Sequence, residues 1–280
     1  MLADASFTAI EKMLAEKPLA ETKKQPVPQN GEICLNHVSF QYEAGVKALD
    51  DVSLTIRPGT VTALVGESGG GKSTVANLIA RFWDVSEGSV TVGGVDVREL
   101  DYADWMKHIS IVFQDTNLFK MSVAENVAMY KPGVSREEIM EALRQARCED
   151  ILEKLPNGVD SVIGARGVYL SGGEMQRIAL ARAILKDAPI VLLDETTAFA
   201  DAENEYLIQR ALDILLHGKT VLMIAHRLQT IVHADQIIVM QRGGIAEQGT
   251  HEELMQRQGV YAKMYHEYEN SVSWKIGGWA

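Results

Sequence analysis

Apolar positions along the chain follow two different periods. EICLNHVSFQY (32–42) alternates loosely and predicts a half-buried strand, as does LDDVSLTI (49–56), which runs into the turn pair Pro58-Gly59. TVTALVG (60–66), IVLLD (190–194) and TVLMIA (220–225) are instead short, continuously apolar runs. Strands of that kind are buried on both faces. Helical patterns such as STVANLIARF (73–82) lie between them, so the chain predicts an α/β fold with a mainly parallel sheet covered by helices. Residues 122–157 read as a helical insertion between two strands of that sheet, with Ser122/Glu125 and Ser135/Glu138 each fitting a capping box. QIIVMQRGGIAEQG (236–249) predicts a hairpin turning at Gly243-Gly244, followed by a helix over about 251–268 and a tail, SVSWKIGGWA, with no clear period. At the other end, Phe7, Ile10, Met13 and Leu14 fall on one face of a short amphipathic helix. Pro18 ends it, KKQPVPQNG (23–31) reads as an extended linker, and a boundary is drawn near residue 30.

Bulk numbers narrow the function. The 280 residues can bury a full core, and 46% hydrophobic with 23% charged residues describes a folded chain. A net charge of -11 speaks against a nucleic-acid partner, which usually meets a basic face. Cys34 and Cys148 have no metal-like spacing and read as free thiols. No apolar run approaches the ~18–20 residues of a membrane span, and no signal-peptide pattern opens the chain, so the expectation is a soluble segment.

The chemistry concentrates in a few stretches. GESGGGKS (66–73) matches G-x-x-x-x-G-K-[ST] between an apolar strand and a helix. Gly66, Gly69, Gly70 and Gly71, with Glu67 and Ser68 between them, let the backbone curl so that N–H groups face phosphates. Lys72 reaches the terminal phosphates and Ser73 offers a hydroxyl to Mg²⁺. Asp194 and Glu195, paired at the end of a buried strand, predict a metal ligand and a general base that polarises the attacking water. His226 ends another buried strand, either as a γ-phosphate contact or as a structural hydrogen bonder. Gln114 follows ISIVF as a water or metal contact, weak on its own. LSGGEMQR (170–177) opens a second helix with a serine and two glycines, a seat for an anion, yet carries Glu174 three residues beyond Ser171.

Together these stretches resemble the ATP-binding cassette ATPases, over about residues 31–256. The motifs stand in order: FQY with Tyr42, the phosphate loop through Thr74, VFQD with Gln114, LSGGE, the strand ending in Asp194-Glu195, AFAD ending in Asp201, and AHR with His226. QDTNLFKMSVAENV (114–127) and IGARGVYLSGG (163–173) are similar to the exporter branch, although Ala165 stands where a glutamate is usual. Thr196, the AFAD sequence and Glu174 are further departures from the family pattern. The resemblance implies a cassette fold over 31–268, with an N-terminal antiparallel β subdomain and a helical subdomain over about 115–185. It also implies a linker helix in 1–30 from a transmembrane domain, and a C-terminal tail in 269–280. ATP and Mg²⁺ would be the ligands, Tyr42 stacking on adenine. Ser171, Gly172, Gly173, Glu174 and Asp201 would serve ATP held by a partner chain in a head-to-tail homo- or heterodimer. Phe119 would line a groove for coupling helices, against the alternative of a core aromatic. The implied role is ATP-driven export at the cytoplasmic face of a membrane. Rivals are an importer ATPase, an inert cassette, and a DNA-repair type, which the acidic charge and the lack of a heptad run disfavour. Glu174, as the third residue of a capping box, is expected to turn back to its own helix and away from phosphate.

Overall fold

The protein is described from a computed structural model, which covers residues 19, 25–28, 31–42, 45–113, 117–129, 131–164, 168–194, 202–225 and 227–277. The leading helix expected over 5–16 lies outside these residues. So do Gln114, Ala165, Glu195, Thr196, Asp201 and His226.

Chain order builds an antiparallel sheet first. β1 (Ile33–Gln41), β2 (Lys47–Ile56), β4 (Glu87–Val92) and β5 (Val95–Asp96) join in the order β2-β1-β4-β5. The second sheet has six strands in the order β12-β11-β3-β10-β9-β6. These are β3 (Val61–Gly66), β6 (Ile109–Val112), β9 (Ile190–Asp194), β10 (Thr220–Ile224), β11 (Gln236–Gln241) and β12 (Gly244–Gly249). All pair in parallel except the β11–β12 hairpin. Its continuous apolar runs have the predicted cause. Ile190 and Leu192 join one core with the antiparallel sheet, while Val191 and Leu193 join another beneath the helical insertion. A third core sets Ala63, Val65, Ile237 and Val239 against Leu254 and Tyr261. Both faces of the sheet are therefore dry.

The helices are α1 (Lys72–Ile79), α2 (Tyr102–Lys107), α3 (Val123–Ala128), α4 (Arg136–Gln145), α5 (Glu149–Lys154), α6 (Gly172–Lys186), α7 (Ala202–Leu216), α8 (His251–Arg257) and α9 (Val260–Gly277). Both expected capping boxes form, at Ser122/Glu125 and Ser135/Glu138. β7 (Met121–Ser122) pairs with β8 (Val162–Ile163) and closes the insertion at its base.

Four expectations change. α1 ends at Ile79, short of residue 82: Arg81 adopts a left-handed φ of 55°, and the buried Trp105 indole donates to the Ile79 carbonyl at 3.0 Å. The single helix expected over 251–268 is two, broken where Gln258 takes φ 52°. The Glu247 carboxylate then caps the second helix by accepting from Val260 N at 2.8 Å and Tyr261 N at 2.9 Å. That second helix continues to Gly277, so most of the patternless tail is helical in its backbone. The linker stretch 25–28 is tied to the body: Gln25 N donates to Glu99 O, Asp101 N donates to Gln25 O, and Val27 packs on the first core.

Candidate functional site

β3 delivers the phosphate loop between the two sheets. Gly66 pairs with Met240 of β11 and holds φ 135°, where an added Cβ would sit 2.0 Å from the Met240 carbonyl oxygen. Gly71, at φ 98°, is pressed from the other sheet, its missing Cβ 2.7 Å from Ala48 O. Only glycine fits a backbone so confined. Between them Gly70 N donates to Glu67 O at 3.1 Å, while Glu67, Ser68 and Gly69 stay exposed. Gly71 is the N-cap of α1 and offers no side-chain cap, which leaves the first N–H groups of the helix for an anion. Lys72 is 5% exposed, and its ammonium donates to Gly66 O and Glu67 O, both at 2.9 Å. A buried cation laid across the loop backbone makes the site locally positive.

At the next position along α1, Ser73 shares a cavity of about 20 Å³ with Asp194 at the end of β9. Apart from Asn77 the rest of the lining is apolar, so Ser73 and Asp194 supply its side-chain oxygens, the donor type Mg²⁺ takes. Ile224 of β10 is in register with both Asp194 and Leu64. The carboxyl ends of β3, β10 and β9 therefore lie side by side, the usual place for a ligand crevice in a parallel sheet. Thr74 is buried, and its hydroxyl accepts from the Tyr42 hydroxyl at 3.3 Å. Asn77 Nδ2 donates to the same Tyr42 oxygen at 3.3 Å. The Tyr42 ring meets Phe40 and Trp83 edge-on, with centroids 4.8 and 5.4 Å away, and remains 43% exposed. Sequence reading found Tyr42 but missed Trp83 and Asn77. The RFW at the end of α1 was the available signal, an aromatic pair just past a helix that starts at the loop.

The second anion seat is built as its capping box predicts. Ser171 caps α6 in extended geometry, its hydroxyl accepting from Glu174 N, while Glu174 Oε2 accepts from Ser171 N at 2.8 Å. Gly173 is obligatory here for packing: a Cβ would lie 2.7 Å from Asn204 Cβ of α7. The other Glu174 oxygen accepts from Lys154 Nζ at 3.2 Å, a contact from α5 that sequence reading missed. Burial opposes the charge of Glu174. The Ser171 amide and hydroxyl and the Lys154 ammonium outweigh it, holding the carboxyl below its usual range. One turn on, the buried Arg177 donates to both carboxylate oxygens of Asp150 at 2.6 and 2.9 Å, and to the Arg147 carbonyl. Gln114, Glu195, Asp201 and His226, expected to complete the chemistry, lie outside the described residues.

Beside the edge strand β6 an apolar groove of about 350 Å³ is lined by Phe82, Phe113 and Phe119, with Arg182 and Lys186 at its side. Phe119 is 48% exposed, so it is not a core aromatic. Its loop is fixed by the buried Asn126, which accepts from Phe119 N and donates to Phe119 O. A larger open groove of about 550 Å³ between α4 and the ends of α6 and α7 holds none of the phosphate-site residues. Both cysteines are free. Burial pushes the Cys148 thiol up to about 12, which makes it inert. Among the described residues, no helix is long and apolar enough to cross a membrane.

The family model for ABC transporters matches residues 49–198. The chain is 52% identical over 235 residues to the mycobactin import ATP-binding/permease protein IrtA of Mycolicibacterium thermoresistibile, covering 84% of this chain and 26% of that protein. It is 47% identical over 235 residues to the ATP-dependent lipid A-core flippase of Legionella pneumophila, covering 84% and 40%. A solved bacterial Atm1-family ABC exporter with ATP bound superposes with a TM-score of 0.85 at 35% identity, covering 95% of this chain and 47% of that one. The chain thus spans less than half the length of each of these relatives. With a glycine-confined phosphate loop, a buried lysine across it and a serine-capped second seat, the chain belongs to the ABC transporter family, as a nucleotide-binding ATPase domain.

Proposed function

We propose that this domain hydrolyses MgATP to drive a solute outward across a membrane, working from its cytoplasmic face. The observation that carries the reading is the loop itself: the buried Lys72 ammonium lies across its backbone, one residue before Ser73, which lines a cavity with Asp194. Lys72 holds the terminal phosphates and Tyr42 supplies the platform for the base. Ser73 and Asp194, with Gln114, would hold Mg²⁺, which offsets phosphate charge when bound. Glu195 takes a proton from the attacking water, and His226 contacts the γ-phosphate. Two cassettes close head-to-tail, so that Ser171–Glu174 and Asp201 of one chain meet the ATP on the Lys72 of the other. Closure is transmitted to a transmembrane domain through the phenylalanine groove.

Glu195→Gln in the isolated chain should bind ATP normally, lose turnover by at least about 10²-fold, and form an ATP-dependent dimer by light scattering. Wild-type turnover in that variant would refute the general-base assignment, and a monomer at saturating ATP would refute the closed pair. Import is a second reading, favoured by the 52% identical relative that bears an import name. Solute flux into or out of vesicles carrying the whole transporter separates the two directions.

A further inference from the structure

We infer that Lys154 is a positioning residue for the partner-bound ATP: it cancels the extra anion that this chain carries in its signature segment. The inference rests on the head-to-tail reading above. Glu174 stands at the third position of α6, on the serine- and glycine-led first turn read as the second anion seat. Its carboxylate is only 14% exposed, so water screens it poorly, and an unpaired charge there would face the incoming γ-phosphate with like sign. Both oxygens are instead engaged, one by the Ser171 backbone and one by Lys154 Nζ.

Lys154 does not reach Glu174 by accident of a loose surface chain. It is the last residue of α5, one turn after Asp150, and its ammonium lies 3.7 Å from Asp150 Oδ2. Asp150 in turn binds the buried guanidinium of Arg177, on the same helix as Glu174 and one turn further along. Arg177, Asp150, Lys154 and Glu174 thus form a chain of alternating charge that sums to zero and returns to the helix where it began. Arg177 is 1% exposed and fixes Asp150. Asp150 orients the 67% exposed Lys154, and Lys154 draws Glu174 aside and neutralises it. Loss of Lys154 would leave one net negative charge beside the seat.

Glu195→Gln supplies the measurable dimer in the intact 280-residue chain. Lys154→Met in that background should raise the ATP concentration for half-maximal dimerisation about three- to tenfold, an effect of ~1 kcal/mol between partly screened charges. ATP binding to the monomer, which uses Lys72, should not change. Lys154→Arg should restore the midpoint. Adding Glu174→Gln to Lys154→Met should restore it too, because no anion then remains to be cancelled. A purely structural lysine would lower the melting temperature, and removing Glu174 would not repair it. An unchanged midpoint in Lys154→Met, or no recovery in the double variant, overturns the inference. Failure of the Glu195→Gln parent to dimerise overturns the head-to-tail reading instead.

Discussion

Gly66 and Gly69 separate two reasons for a glycine in one loop. Both have left-handed φ values, 135° and 78°, but a Cβ on Gly66 would strike Met240 O at 2.0 Å while one on Gly69 meets nothing within 4 Å. Gly69→Ala therefore carries only the backbone cost, about 1–2 kcal/mol. Gly66→Ala adds a clash with backbone that cannot swing away, and should cost about 3 kcal/mol or more. Urea unfolding of the two variants checks this; equal losses would remove the steric argument. At this scale the sequence was most informative. The local contacts of Lys72 and Ser171 could be read because each is made with a residue a few positions away. Lys154 could not, since its partner lies 20 residues off on another helix and nothing local marks the pair. Trp83 had a local signal in the RFW stretch, but its contact with Tyr42 did not, being made by the packing of α1 on the antiparallel sheet.

Among elements, α6 is held at three points along its first two turns. Its start is capped by Ser171, its first turn is backed by Asn204 of α7, and its second turn is clamped to α5 through Arg177 and Asp150. Hydrogen bonds from Arg177 hold the Asp150 carboxyl below its ordinary value, against the cost of its partial burial. A carboxyl whose folded value is depressed stabilises fully above its unfolded value, near ~4, and loses that contribution as pH falls through the lower folded value. Asp150→Asn should cost about 1–2 kcal/mol at neutral pH, given the exposure of the pair's outer side. It should also flatten the decline in melting temperature below about pH 4. An unaltered acid limb would show that the clamp contributes nothing through charge. Element boundaries were less legible than element types. The break at Gln258 depends on Glu247 reaching across from β12, and the early end of α1 depends on Trp105, 26 residues away.

For the whole molecule, the alternation of continuous apolar runs with helical segments foretold a mainly parallel sheet with two covered faces. It did not foretell that β6 would be left at the edge with three phenylalanines beside it. Phe119→Ser should leave ATP hydrolysis by the isolated chain within about twofold of wild type. It should also depress transport by the assembled transporter well beyond that, because Phe119 lines the groove but, unlike Phe82 and Phe113, not the Ser73–Asp194 cavity. A parallel fall in both assays would tie Phe119 to the catalytic fold.

The phosphate loop has one more consequence, for motion. β11 touches it at Gly66, β2 touches it at Gly71, and β2 meets the turn that follows β11 where Asp50 N donates to Gly243 O at 2.9 Å. A nucleotide gripped there acts as a rivet through two plates. It can tighten the antiparallel sheet against the parallel one only as much as that joint, when prised open, weakens its own hold. Breathing between the sheets and the lifetime of bound nucleotide are thus a single equilibrium seen from two sides, and slowed amide exchange in β2 and β11 would be its signature.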